Sequence, residues 1–243
     1  EITGSIVNVD TAMKNGFLWK KGPFEMLDDL GPSWFAAKVS EEGLKVPPLL
    51  EKVGEDKFYK VQGKDVLYFS TELNYAKLVK PEGYLTASDV KRGQDSKFRN
   101  SSASLWDMGD DILLIEFHSK MNSMDPLIME AITEAVDFCE KGIFQGVVIG
   151  NDGTNFSAGA NLGLSTFVAN VGAWDEAEKF VFGGQVAFMM LKHGNFPVVG
   201  APSGLAIGGG CEVLLACDSI QAHSESYIGL VEVGVGLVPA WGG

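Results

Sequence analysis

The run Ile112-Leu113-Leu114-Ile115-Glu116-Phe117, followed by Asp125-Pro126 and then by Gly146-Val147-Val148-Ile149-Gly150, decides the fold class. The outer two runs are short, apolar and bounded by turn residues, as expected of strands buried on both faces. Between them, Asp125 is suited to cap a helix N-terminus and Pro126 to occupy its first position. Ile128, Ile132, Ala135, Val136 and Cys139 then recur at helical spacing and give that helix one apolar face. Further on, Ala177, Phe180, Val181, Gly184, Phe188 and Leu191 mark a second helix, Pro197 to Ala201 a third strand, and Cys211 to Cys217 a third helix. Strand and helix alternating in this way predict an α/β fold with a mostly parallel sheet covered by helices.

Toward the N-terminus the pattern is different. Residues 1–95 read as mainly helical, with periodic apolar positions at Ile6, Val9, Ala12 and Met13 and a second short run from Phe24 to Leu30 between Gly22-Pro23 and Gly31-Pro32. Two aromatic-rich stretches, Lys57 to Val61 and Val66 to Ser70, flank Gly63-Lys64-Asp65 and predict a small hairpin. Thr86 to Ser104 is polar with few apolar anchors, so a linker is placed at 96–109, ahead of a second domain at 110–243.

The 243 residues are 46% hydrophobic, enough for one large domain or two modest ones. A net charge of −13 argues against a nucleic-acid partner, which needs a basic face to displace counterions. No apolar run approaches the roughly 20 residues of a membrane span. Three cysteines, Cys139, Cys211 and Cys217, are too few for a disulfide framework and point to a reducing, cytoplasmic setting. His118, His193 and His223 show no metal-ligand spacing, so no metal is expected. The chain opens at Glu1 without an initiator methionine and stops inside a glycine-rich loop at Gly243, and so reads as a fragment.

Two loops of small residues carry the chemistry. Phe156-Ser157-Ala158-Gly159-Ala160-Asn161-Leu162 follows one strand, and Ala206-Ile207-Gly208-Gly209-Gly210-Cys211-Glu212 precedes a helix. A backbone without bulky side chains lets a carbonyl approach N–H groups directly, and two such loops can each give one N–H to a single oxygen. Taken alone, either loop is a tight turn packed with small side chains. Glu212 falls in a first helical turn, where acids suit the dipole; Glu232 interrupts the apolar stretch Gly229-Leu230-Val231-Glu232-Val233-Gly234, where a charge without a partner or task is costly. A buried salt bridge is the alternative for Glu232, and proton transfer the sharper reading of the pair. The chain has no GxGxxG dinucleotide loop, no GxxxxGK[ST] phosphate loop and no GxSxG elbow. Cys211 has no neighbouring histidine and reads as packing.

On Phe117-His118-Ser119-Lys120-Met121-Asn122-Ser123, the two small-residue loops and Glu232, residues 110–243 resemble the crotonase, or enoyl-CoA hydratase, superfamily. The resemblance implies repeated ββα units, here truncated at the C-terminus and preceded by a mainly α-helical segment. It implies an acyl-CoA substrate whose thioester oxygen is held by the amides of Ala160 and Gly209, with Glu212 and Glu232 as the catalytic pair of hydratases. Lys120, Asn122, Ala158, Gly159 and Gly208 are implied to contact the CoA portion. The chain departs from the family pattern at Asn161, where aspartate is usual, and at Ala240-Trp241 in the loop after the second acid, where smaller residues are common.

A weaker resemblance covers Val9-Asp10-Thr11-Ala12-Met13-Lys14-Asn15-Gly16-Phe17 and Gly22-Pro23-Phe24-Glu25-Met26-Leu27-Asp28, which look like the helical C-terminal domain of 3-hydroxyacyl-CoA dehydrogenases. Together the two imply part of a bifunctional β-oxidation enzyme. The implied activity is hydration of trans-2-enoyl-CoA, with enoyl-CoA isomerisation or another crotonase reaction as the nearest alternative, and a non-catalytic scaffold or inactive fragment as the other. No cofactor is expected in this chain, NAD being expected only for an upstream dehydrogenase domain. Homo-oligomerisation is expected of the full-length parent.

Overall fold

The computed structural model describes residues 3–243, which form two compact units, one ending at Tyr84 and the other starting at Leu85. In the first unit, helices α1 (Ile6–Phe17), α2 (Pro23–Leu30), α3 (Pro32–Glu41) and α4 (Pro48–Val53) precede strands β1 (Tyr59–Gln62), β2 (Asp65–Phe69) and β3 (Tyr75–Lys77). The expected hairpin is present: β1 and β2 pair antiparallel with Tyr59 opposite Tyr68, and β3 extends the sheet. Ile6, Leu50, Val53, Phe58 and Phe69 form its core. Two aspartates tie helix to strand. Asp10 is 1% exposed and accepts from the amides of Phe24 and Glu25 at the start of α2 and from the Tyr59 hydroxyl. Asp28 accepts from the amides of Phe58 and Tyr59. Such bonds satisfy donors that a helix start and a strand edge leave open.

The second unit runs α5 (Ala87–Lys91), β4 (Phe98–Arg99), β5 (Ala103–Gly109), β6 (Ile112–Phe117), α6 (Pro126–Glu140), β7 (Gly146–Gly150), β8 (Asn155–Ser157), α7 (Leu162–Asn170), α8 (Trp174–His193), β9 (Val198–Ala201), β10 (Leu205–Ile207), α9 (Gly209–Leu215), β11 (Ser219–Ile220) and β12 (Tyr227–Gly229). Its larger sheet has the order β11-β9-β7-β6-β5-β4, parallel from β11 to β6 and antiparallel from β6 to β4. Asp125 caps α6 as expected, accepting from Leu127 and Ile128, with Pro126 in the first turn. The face of α6 read from spacing is buried: Ile128, Ile132, Ala135 and Val136 are fully covered and join Phe188 and Leu191 of α8 in one core. Each buried Ile, Val, Leu or Phe side chain of this kind contributes about 1.5–3 kcal/mol.

The expected linker at 96–109 is instead part of the sheet, since β4 and β5 lie there and Ala103, Leu105 and Trp106 are buried. Its two buried polar residues, Ser102 and Ser104, are inside because each finds a partner. The Ser102 hydroxyl donates to Asp125, and the Ser104 hydroxyl meets the His118 ring at 2.8 Å. Helix α5 belongs to this unit as well: Ala87 and Val90 pack on Trp106 and Leu114, and Lys91 pairs with the buried Glu116, which also accepts from the Trp106 indole. The unit boundary accordingly precedes residue 85 rather than following residue 95.

A second, smaller sheet positions the site. Strands β8, β10 and β12 are all parallel, in the order β12-β10-β8. Their C-terminal ends therefore lie on one side, and the segments leaving them start with Ala158, Gly208 and Leu230. Ligands of open parallel sheets bind beyond those ends. Among the described residues no helix is long and apolar enough to cross a membrane.

Candidate active site

Each small-residue loop is held so that at least one amide is left over. After β8, the Ser157 hydroxyl donates to the Asn122 carbonyl and accepts from the Gly159 amide, and Met124 exchanges bonds with Gly159 and Asn161 on either side of Ala160. After β10, Gly208 adopts φ +55° and donates to the Gly229 carbonyl, and α9 begins at Gly209. Among the described residues, neither the Ala160 amide nor the Gly209 amide donates to a protein acceptor. First-turn amides such as that of Gly209 have no intrahelical partner.

The two loops touch through their backbones. A methyl group added at Gly159, where φ is +83°, would lie 2.7 Å from the Ile207 carbonyl oxygen and 3.1 Å from the Gly209 nitrogen. One added at Gly209 would lie 3.4 Å from the Ala160 nitrogen. This is why glycine stands at both positions. Two unused N–H groups side by side at a cavity wall form a ready pair of donors for one acceptor oxygen.

Both carboxylates face the same space. Glu212, in the first turn of α9, is 3% exposed, and its Oε1 accepts from the amides of Trp241 at 2.7 Å and Gly243 at 3.1 Å. Glu232 begins the short 3-10 turn Glu232–Val235 that follows β12. Its Oε1 lies 3.2 Å from the position a methyl group on Gly208 would take, and its Oε2 is buried with no partner among the described residues. Cys211 senses both acids: burial first, then the charges of Glu232 and Glu212, push its thiol pKa up. A thiol that burial holds in its protonated form is not a nucleophile.

A cavity of about 550 Å³ is lined by Ala158, Gly159, Ala160, Gly208, Gly209, Glu212 and Glu232, with an aliphatic and aromatic wall that includes Leu164, Val168, Phe180 and Val181. The structure thus brings together the two amides, the two acids and three of the five residues expected at the CoA portion. Lys120 and Asn122 are not among the lining residues. Lys120 is exposed in the turn Lys120–Asn122, while Asn122 is buried with its side-chain amide donating to the Asn155 carbonyl, so its role here is to brace the loop. Trp241, which no local spacing marks as a site residue, lines the cavity, and its backbone holds Glu212. Only the tertiary contact reveals it.

The other two cysteines give a pH prediction. Burial pushes Cys139 up to about 11 and Cys217 up to about 12, from an ordinary value of 9.0. The folded state then holds these protons more tightly than the unfolded chain, so stability falls as pH rises from about 9 toward 11–12. Denaturant midpoints measured between pH 8 and pH 11 should fall less steeply for the Cys139→Ala/Cys217→Ala variant than for wild type. Parallel curves would contradict the assignment, because titrating lysines and tyrosines are common to both proteins.

Fold and cavity together define an α/β protein of the crotonase class, with strand-end loops presenting paired amides and acids. Residues 107–243 match the family model described as Enoyl-CoA hydratase/isomerase, and the chain belongs to that family. Among curated relatives, it is 39% identical over 247 residues to a protein of Bacillus subtilis called probable 3-hydroxyacyl-CoA dehydrogenase, covering 100% of this chain and 31% of that one. It is 34% identical over 136 residues to the crotonyl-CoA hydratase of Syntrophomonas wolfei, covering 54% of this chain and 50% of the relative. The chain therefore spans 31% to 50% of the length of these two relatives. Among solved structures, the enoyl-CoA hydratase of Polaromonas sp. JS666 superposes with a TM-score of 0.50 at 27% identity, over 53% of this chain and 51% of that chain.

Proposed function

We propose that residues 107–243 carry an enoyl-CoA hydratase site, acting on trans-2-enoyl-CoA within a longer fatty-acid β-oxidation protein that also holds a 3-hydroxyacyl-CoA dehydrogenase. One observation carries the reading: two free amides and two carboxylates, from three separate loops at parallel strand ends, line a single largely apolar cavity. The thioester oxygen sits between the Ala160 and Gly209 amides, which stabilise the negative charge that develops there as water adds to the β-carbon. Glu212 takes a proton from that water. With Oε1 occupied by two N–H groups, its other oxygen is turned to this task. Glu232 delivers a proton to the α-carbon. Water's O–H and the alkene π bond break while C–O and C–H bonds form; one proton enters on Glu212 and one leaves Glu232, and exchange with solvent resets the pair.

The site uses acyl-CoA and water alone, without metal or cofactor; NAD serves the dehydrogenase elsewhere in the longer protein. The names of relatives matching the whole chain support this fusion: besides the Bacillus protein, one from Rickettsia felis, 29% identical, is called putative fatty acid oxidation complex trifunctional enzyme. The test assays the full-length protein with crotonyl-CoA and with a 3-enoyl-CoA. Hydration of crotonyl-CoA as the dominant activity is expected. Double-bond migration without water addition would replace the reading with an isomerase, and binding without turnover would make the site a scaffold.

A further inference from the structure

Helix α8 carries Phe180, Gly184 and Phe188 at four-residue spacing, so two aromatic rings flank a gap on one face. A glycine inside a helix is destabilising relative to alanine, and its presence here needs a reason. The Trp241 indole fills the gap. It meets Phe180 edge-on at 5.2 Å and Phe188 at 5.6 Å, and is itself 5% exposed. A methyl group on Gly184 would lie 2.3 Å from the indole nitrogen. At the other end of the ring system, a methyl group on Gly209 would lie 2.5 Å from Cζ3. The indole is thus wedged between a helix backbone and the backbone of a proposed oxyanion donor. Its buried N–H has no partner among the described residues, a cost that a phenyl ring would avoid but that comes with the length needed to reach both glycines. Gln185 adds a second tie, donating to the Ala240 carbonyl.

We propose that Trp241 is a positioning residue: seated between Gly184 and Gly209, its ring fixes the loop whose Trp241 and Gly243 amides orient Glu212. This rests on the hydratase reading, because Glu212 acts on water there. Releasing the ring frees the amides to move, and a shift of about 1 Å at a reacting group can cost about 100-fold in rate. Trp241 and its ring partner Phe180 also line the cavity, so the positioning role is read in kcat, where the orientation of Glu212 acts, and a change in KM alone would count against the proposal.

The test is a cycle in the full-length protein: Trp241→Ala, Gly184→Ala and both together, with crotonyl-CoA kinetics and thermal melting. Each single change is expected to lower kcat about 100-fold, and the double to lose no more than the singles. In melting, Gly184→Ala should destabilise wild type, where it expels the ring, and stabilise the Trp241→Ala background, where alanine simply favours the helix. Trp241→Phe, which keeps ring contact with α8, should recover part of the kcat lost in Trp241→Ala. Wild-type kcat in Gly184→Ala, or kcat losses that multiply in the double variant, would overturn the proposal. A wild-type protein with no hydration but an intact melting reversal would instead overturn the hydratase reading and leave the wedge standing.

Discussion

Glu212→Gln in the full-length protein is expected to slow crotonyl-CoA hydration by about 100- to 10,000-fold, the range over which positioned acid–base groups act. The substitution is nearly isosteric. The glutamine carbonyl can still accept from the Trp241 and Gly243 amides that now hold Oε1, so the loop keeps its anchor. What changes is the other side, where an NH₂ donor replaces the oxygen that would take the proton of water. The loss should appear in kcat, with KM and melting temperature close to wild type. A variant that hydrates at the wild-type rate would remove Glu212 from the chemistry.

Gly159→Ala is expected to cost about 100- to 1,000-fold in the same assay, the scale of losing one oxyanion donor. Its φ of +83° already disfavours a side chain, and the added methyl group would press on the Ile207 carbonyl and the Gly209 nitrogen at 2.7 and 3.1 Å. The two loops must part, and the Ala160 and Gly209 amides can no longer address one oxygen. Gly183→Ala, on a stretch of α8 where a new methyl group meets nothing within 4 Å, is the control and should keep full rate. Equal rates for both variants would mean that the backbone contact is only packing.

The parts of the fold that could be read from the sequence are those where local pattern and burial agree. Strands β6 and β7 are apolar because both faces are covered, and α6 shows its cap, its first-turn proline and its buried face within fifteen residues. The two small-residue loops and Glu232 were legible for a related reason: backbone without side chains, and a charge in an apolar run, both call for an explanation that packing alone supplies poorly. The stretch taken for a linker was illegible because Ser102 and Ser104 are polar residues made internal by Asp125 and His118, which lie on other elements. Asn122 sat within a motif and looked available to a ligand, but its amide is spent on the Asn155 carbonyl. Trp241 depends on Gly184 and Gly209, and nothing in local spacing links those three positions.

The most direct measurement is a crystal structure of the full-length protein with a non-hydratable enoyl-CoA analogue. The thioester oxygen should lie about 2.7–3.1 Å from both the Ala160 and the Gly209 nitrogens, with Glu212 and Glu232 flanking the carbons that correspond to the double bond. An analogue bound outside this cavity, or inside it with its carbonyl turned away from the two amides, would contradict the account.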